Sequence, residues 1–159
     1  MDEKKALEIS AVKYFIAAFK KQNHIDYKIV QHQDRPDIII EDRNTKKRLG
    51  VEVTHLFYDS QEARIILGRA KDQVHGPETI DQYILRLNQL LQQKADKAKG
   101  YQCNNDNILL VRVVSPVFDI DDFNASAEKI VVPVCLYKNI WLLFYDFDHN
   151  YWGILKLLK

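Results

Sequence analysis

Two short segments, RPDIII at residues 35–40 and GVEVT at residues 50–54, decide how the first half of this chain folds. Each combines branched apolar residues with one acid, a composition typical of β-strands. Pro36 has no amide hydrogen to donate, so it belongs at or just before the start of a strand. The polar residues 43–47 between the segments suit the tip of a hairpin. The sequence therefore predicts two antiparallel strands, at residues 37–42 and 49–56.

This hairpin brings two acids together. If it closes symmetrically around Asn44 and Thr45, Asp37 lies opposite Glu52. Directly opposed residues of antiparallel strands have their Cβ atoms about 4.5–5.5 Å apart. Two carboxylates at that distance repel each other unless a cation or a shared proton lies between them. The alternative is that Asp37 merely begins its strand and that Glu52 faces solvent.

The rest of the chain alternates helical and strand-like patterns around this hairpin. A helix is predicted at residues 2–22, and a helical region at 60–101 that is interrupted near His75-Gly76-Pro77. Further strands are predicted at residues 27–31, 107–114, 140–147 and 151–157, with a short helix or an irregular segment at 119–129. This order predicts an α/β fold with a mixed central β-sheet flanked by helices, in one domain spanning residues 1–159.

Composition sets the broad class of the protein. The chain has 159 residues, 47% of them hydrophobic and 28% charged, which is typical of a globular domain. No apolar run is long enough to cross a bilayer, and the N-terminus lacks the apolar core of a signal peptide. We therefore expect a cytoplasmic protein that does not enter a membrane. Cys103 and Cys135 match no zinc-binding spacing and are predicted to be free thiols. The net charge of +1 does not by itself indicate a nucleic-acid-binding protein.

The Pro-Asp pair, the polar turn and the segment Gly50-Val51-Glu52-Val53-Thr54 resemble the metal-binding core of the PD-(D/E)XK (restriction endonuclease-like) nuclease superfamily. In that family a hairpin carries an Asp, and the next strand carries an acid-x-Lys triplet. Asp37 and Glu52 match the two acids, and Thr54 stands where the family has its lysine. With the order of elements, the resemblance covers residues 3–114. It implies a restriction endonuclease-like core that binds Mg²⁺ or Mn²⁺ through Asp37 and Glu52.

A third acid is predicted on the first helix. Glu8 precedes Val12 by four residues and Phe15 by seven, which places it on the apolar stripe of the helix. A carboxylate on a core-facing stripe is costly unless it is paired or bound to a metal. The resemblance implies that Glu8 completes the metal site, because family members often have a glutamate there, and Glu3 is the weaker candidate. The alternative is an acid that favours the helix N-terminus and bends out to water.

A lysine occupies the apolar stripe of the long helix that follows. The stripe includes Ile84, Leu87, Leu91 and Ala98, and Lys94 lies near its centre. Some members of the family supply a displaced catalytic cation from this helix, so the resemblance implies that Lys94 replaces the lysine missing at Thr54. Lys97 is the reserve candidate, and Tyr101 lies on the same face. Alternatively, Lys94 extends along the apolar surface to the solvent.

These residues predict a Mg²⁺-dependent nuclease that hydrolyses phosphodiester bonds of nucleic acid, with DNA as the expected substrate. The catalytic candidates are Asp37, Glu52, Lys94 and Glu8, of which the three acids are also the metal-binding candidates. The substrate-binding candidates are Thr54, Lys97, Tyr101, Lys46 and Lys47, the last two of which could instead form a solvated turn. The alternative is a catalytically inactive binding or assembly module with the nuclease fold. A homodimer is compatible with either interpretation.

Overall fold

A computed structural model describes seven parts of the chain: residues 3–33, 36–57, 79–99, 106–115, 118–134, 137–146 and 150–157. Within them lie three α-helices: α1 (Glu3–Asn23), α2 (Ile80–Ala98) and α3 (Ile120–Ala125), with a 3₁₀ turn at Ala127–Lys129. The strands are β1 (Tyr27–His32), β2 (Ile38–Asp42), β3 (Arg48–Phe57), β4 (Asn107–Val114), β5 (Asn139–Asp146) and β6 (Tyr151–Leu157). None of the helices described is long and apolar enough to cross a membrane.

The six strands form one mixed sheet in the order β1-β2-β3-β4-β5-β6. The pairs β1–β2, β2–β3 and β5–β6 are antiparallel, whereas β3–β4 and β4–β5 are parallel. Helices pack on both faces of the sheet, because its central strands are apolar on both sides. The predicted α/β class, with a mixed central sheet flanked by helices, is confirmed.

The β2–β3 hairpin closes as its sequence predicts. Ile38 pairs with Val51 and Glu41 with Arg48, so the hairpin is symmetric about the bond between Asn44 and Thr45. The turn is held by the Asp42 carboxylate, whose Oδ1 accepts hydrogen bonds from the backbone amides of Asn44 (2.9 Å) and Thr45 (3.4 Å).

The central strands supply two cores by the alternation of their side chains. Val51 and Val53 of β3 pack with Val12 and Phe15 of α1. Leu56 of the same strand packs on the other face, in a cluster that includes residues of α2 and α3. We refer to these as the α1 face and the α2 face of the sheet.

Gly50 has a specific steric reason to be glycine. A Cβ atom there would collide with the side chain of Asn107 and with the ring of Pro36. The proline of the Pro-Asp pair therefore packs against the first residue of the GVEVT segment, and this contact helps to fix where Asp37 enters the hairpin.

The predicted boundaries differ from the observed ones by one or two residues. The predicted strand 37–42 begins at Ile38, because Asp37 lies in a bend, and α2 begins at Ile80 after an N-cap at Thr79. The predicted helical residues 60–78 and the break at residues 75–77 lie outside the residues described. The segment 119–129 is a short helix with a capping box at Asp119 and Asp122, followed by the 3₁₀ turn.

Candidate functional site

Asp37 lies where the paired strands β2 and β3 separate, a point that we call the fork. Strand β2 begins one residue later, at the pair Ile38–Val51, whereas β3 continues to Phe57 alongside β4. At the fork, Oδ2 of Asp37 accepts a hydrogen bond of 2.8 Å from the backbone amide of Val53. The carboxylate thus takes the place of a strand carbonyl and is held close to the plane of the sheet, with 7% of the residue exposed.

Glu52 and Thr54 are buried beside this fork, with exposed fractions of 7% and 8%. Continuing the register of β2 and β3 by one residue places Asp37 opposite Glu52. Glu52 pairs with Leu109 of β4, which belongs to the α2-face core, and it alternates with Val51 and Val53 of the α1-face core. Glu52 and Thr54 therefore both lie on the α2 face of the sheet. The alternative in which Glu52 faces solvent is wrong.

Burial makes the Asp37 carboxylate hard to ionise. Desolvation is the largest cause that raises its pKa from 3.8 to about 6, and the negative charge of Glu8 raises it further. The amide of Val53 and the ammonium groups of Lys4 and Lys94 act in the opposite direction. A carboxylate with this balance would gain from a nearby divalent cation, because a cation favours the charged form.

Glu8 does not bend out to water. It is 4% exposed, and its Oε2 lies 3.2 Å from Nε2 of His32 at the end of β1. Its Oε1 lies 3.9 Å from the ammonium of Lys4, one helical turn earlier. Glu8 therefore already has two protein partners and acts electrostatically on Asp37. Glu3, the weaker candidate, is exposed at the start of α1.

From the rise of helix and strand we infer that Lys94 lies near the level of Glu52 along β3. The hydroxyl of Tyr83 donates to the carbonyls of Leu56 and Val114, which fixes the start of α2 at the carboxyl ends of β3 and β4. Measured from this attachment, Lys94 is about 16 Å along the helix from Tyr83. Along β3, Glu52 and Val51 are about 13 and 16 Å from Leu56, which is nearly the same distance. Lys94 is half-buried, and its charge lowers the pKa of Asp37.

The remaining substrate-binding candidates are Lys97, Tyr101, Lys46 and Lys47. Lys97 is exposed, and Tyr101 lies outside the residues described. Lys46 and Lys47 are exposed at the hairpin tip, and the strand between Asp37 and Asp42 spans about 17 Å. The structure therefore places Glu52 and Thr54 on the α2 face, lets the charges of Glu8 and Lys94 act on Asp37, and places the two hairpin lysines at the opposite end of β2.

Sequence reasoning missed Arg112, which lies with His55 on the α1 face, the opposite face of the sheet from Glu52 and Thr54. His55 pairs with Arg112 across β3 and β4, and the pKa of His55 falls to about 4 through desolvation and the charges of Arg112, Lys94 and Lys4. The Arg112 guanidinium carbon lies 5.7 Å from the centre of the Trp152 ring. One signal was available: Arg112 is the only charged residue in the apolar run NILLVRVV.

The donor set of the fork fits a hard divalent cation only in part. Within the described parts of the chain, no group of three or more His, Cys, Asp or Glu is arranged to hold a metal ion. Asp37 and Glu52 nevertheless supply the carboxylate oxygens that Mg²⁺ prefers, and Mg²⁺ keeps several waters and needs only one or two protein carboxylates. The two acids therefore fit a water-rich Mg²⁺ or Mn²⁺ site, with Glu8 outside a closed three-acid cage.

Comparisons of the chain with protein-family models, with curated proteins and with solved structures found no match.

Proposed function

We propose that this protein is a Mg²⁺-dependent nuclease that hydrolyses phosphodiester bonds of nucleic acid, with DNA as the substrate we expect. One observation carries the proposal: the register of the hairpin sets the buried acids Asp37 and Glu52 opposite each other at a strand fork, and the positive charge of Lys94 on α2 acts on Asp37. The resemblance of the PD and GVEVT segments to the PD-(D/E)XK superfamily supports it, as does the α-β-β-β-α-β order of the elements described between α1 and β4. A restriction endonuclease-like core is part of the same proposal.

In this function Asp37 and Glu52 would hold the cation. When bound, Mg²⁺ or Mn²⁺ supplies an activated water and offsets the negative charge that develops on the phosphoryl group. The Val53 amide keeps one oxygen of Asp37 in place at 2.8 Å. The negative charge of Glu8 adds to the negative potential at Asp37 and raises the pKa of that carboxyl.

The basic residues around the fork would act on the phosphate. Lys94 can hold a phosphate oxygen or orient the attacking water, since an ammonium group offers three donors and a positive charge. Thr54 offers a hydroxyl that can donate or accept a hydrogen bond but carries no charge. The charge that the family takes from its motif lysine would therefore come from α2 in this chain.

A nuclease assay in the presence and absence of metal tests the proposal. Asp37→Asn removes the charge of the first acid and keeps an oxygen that can accept the hydrogen bond from the Val53 amide. Glu52→Gln removes the charge of the second acid and keeps a side chain of the same size. We expect cleavage of circular DNA to require Mg²⁺ or Mn²⁺, to stop in EDTA and to fall at least about 100-fold in either variant, because several kcal/mol of transition-state stabilisation are lost.

Asp96→Asn is the matched control, because Asp96 is an exposed acid on α2. This variant should cut as fast as the wild type. Double-stranded DNA, single-stranded DNA and RNA circles, tested in parallel, identify the substrate. Equal cleavage by the wild type and by Asp37→Asn would show that the acid pair does not perform the reaction.

The second candidate function is a catalytically inactive nuclease-fold module for binding or assembly. Two observations favour it: Thr54 in place of the motif lysine, and the absence of a three-ligand cluster among the described residues. It predicts nucleic-acid or protein binding without cleavage under any metal condition, and the homodimer remains a prediction within it.

A further inference from the structure

A concave surface lies at the other end of the sheet from the acid pair. It is an open groove of about 790 Å³ between the C-terminal half of α1 and the amino ends of β3, β4 and β5. This volume is within the range of ligand-binding pockets, about 300–1,000 Å³. We call it the aromatic groove, because four aromatic residues line it: Phe15, Phe19, Tyr27 and Trp141.

The four rings of the aromatic groove form one connected cluster. The centre of the Phe19 ring lies 5.6 Å from that of Tyr27 and 5.5 Å from that of Trp141. Phe19 and Tyr27 are half-buried, whereas Phe15 and Trp141 are almost fully buried beneath them. The rings therefore hold one another in place and form a rigid apolar floor, the kind of surface on which unpaired bases stack.

Cationic side chains stand at both ends of this floor. Lys47 lies at the tip of the β2–β3 hairpin, and Lys156 lies on β6 directly across from Trp141. Neither forms an ion pair within the described parts of the chain, whereas Lys138 between them is paired with Asp106 at 3.3 Å. Strands β3 and β6 are about 14 Å apart across the sheet, so the two unpaired cations are too distant to share one phosphate group.

The negative charges of the groove constrain its ligand further. The Asp42 carboxylate is occupied by the amides of the hairpin turn. The last carbonyls of α1, near Asn23, carry the negative end of the helix dipole and repel phosphate. Phosphates would therefore lie on the open side of the groove, at Lys47 and at Lys156, with the bases turned towards α1 and the floor.

We propose that the aromatic groove binds a single strand of nucleic acid, whose bases stack on the ring cluster and whose phosphates contact Lys47 at one end and Lys156 at the other. The two separated cations favour a strand over a free mononucleotide, and the floor favours unpaired bases over a duplex. The inference rests on the proposed function only in taking nucleic acid as the ligand.

The test measures binding in EDTA, so that cleavage plays no part. Fluorescence anisotropy follows a labelled oligothymidylate over a range of salt concentrations, with the wild type, Lys47→Gln/Lys156→Gln and the control Lys13→Gln/Lys99→Gln, whose lysines are exposed outside the groove. Loss of two phosphate contacts should reduce the slope of log K against log salt by about 1.4 and weaken binding at least about tenfold at low salt. The control should retain the wild-type slope.

Thermal unfolding of both double variants checks that the groove variant is folded. An unchanged slope in folded Lys47→Gln/Lys156→Gln would overturn the inference. So would equal affinity for the complementary duplex, which cannot stack on the floor, or for thymidine monophosphate, which cannot reach both lysines. If the wild type binds the oligonucleotide through both lysines but cleaves no nucleic acid under any metal condition, the groove stands and the nuclease fails. If the wild type cleaves but the groove variant keeps the wild-type slope, the nuclease stands and the groove fails.

Discussion

Asp37 combines two properties that rarely coexist in a merely structural carboxylate. Its position is fixed by the 2.8 Å hydrogen bond from the Val53 amide, yet desolvation raises its pKa to about 6. A structural acid usually has its charge matched by a partner, which lowers the pKa. Strongly perturbed titratable groups are candidates for function, and Asp37 is such a group at the point where strands β2 and β3 separate.

The raised pKa predicts how stability depends on pH in the absence of metal. The folded state binds the Asp37 proton more tightly than the unfolded state, so this group's contribution is fully present below about pH 4 and is lost as the pH rises through about 6. Asp37→Asn cannot ionise, so the variant does not lose this stability, and it keeps an oxygen that can accept the hydrogen bond from the Val53 amide. In EDTA near pH 8 we expect the variant to be more stable than the wild type by up to about 3 kcal/mol.

Urea unfolding at several pH values measures this difference. The gap between variant and wild type should narrow on acidification towards about pH 4. Asp96→Asn, which alters an exposed acid, should show no such trend. A gap that stays constant over the whole pH range would mean that Asp37 is not destabilised by its burial.

How much of the site is predictable from sequence differs from residue to residue. The register that sets Asp37 opposite Glu52 follows from the hairpin alone, because a symmetric turn fixes every pair behind it. The burial of Glu8 also follows from its place on the apolar stripe. Its partner His32 does not, because that contact joins α1 to β1 through tertiary packing that no local pattern encodes.

At the scale of elements, α2 has the decisive placement. Its N-terminal end is attached to the sheet by Tyr83, which donates to the carbonyls of two adjacent strands. Because the helix is rigid, this attachment also sets the position of Lys94 along the direction of β3. Helical periodicity predicts that Lys94 lies on the buried face of α2. Its position along β3, near Glu52, follows only from the anchoring of the helix.

Replacing single lysines on α2 tests this placement. Lys94→Met should reduce Mg²⁺-dependent cleavage by about 100-fold or more, because a cation that faces the developing charge is lost. Lys97→Met should leave cleavage near the wild-type rate, since Lys97 is exposed. Methionine keeps the apolar stem of lysine, so the unfolding temperature should change little in either variant. Equal losses of activity in the two variants would contradict the assignment.

The strand boundaries show what local patterns leave undetermined. Strand β4 occupies the predicted residues 107–114, because a nearly continuous apolar run rich in branched residues is typical of a buried central strand. Strand β1 contains a register shift between Ile29 and Gln31 that its short pattern does not reveal. Bulges of this kind depend on the partner strand, and an edge strand has one partner alone.

The two cores make the described fold a cooperative unit. Alternate residues of β3 and β4 enter opposite cores: Val53 and Leu110 pack on the α1 face, and Leu56 and Leu109 on the α2 face. Loss of either helix layer would expose one side of the same strands. The acid pair lies on this shared sheet, so a ligand bound there should stabilise the whole structure and not merely a loop.

This coupling yields a prediction that does not depend on the substrate. A ligand that binds only the folded state adds about 1.4 kcal/mol for each tenfold rise of its free concentration above Kd. For a chain of this size, Mg²⁺ or Mn²⁺ should therefore raise the unfolding temperature of the wild type by roughly 3–6 °C per tenfold rise. Asp37→Asn and Glu52→Gln should show almost no increase, and Asp96→Asn should behave like the wild type.

The increase should also shrink below about pH 6, where a proton competes with the cation for Asp37. A shift of equal size in Asp37→Asn would place the metal elsewhere on the protein, and no shift in the wild type would favour the inactive module over the nuclease.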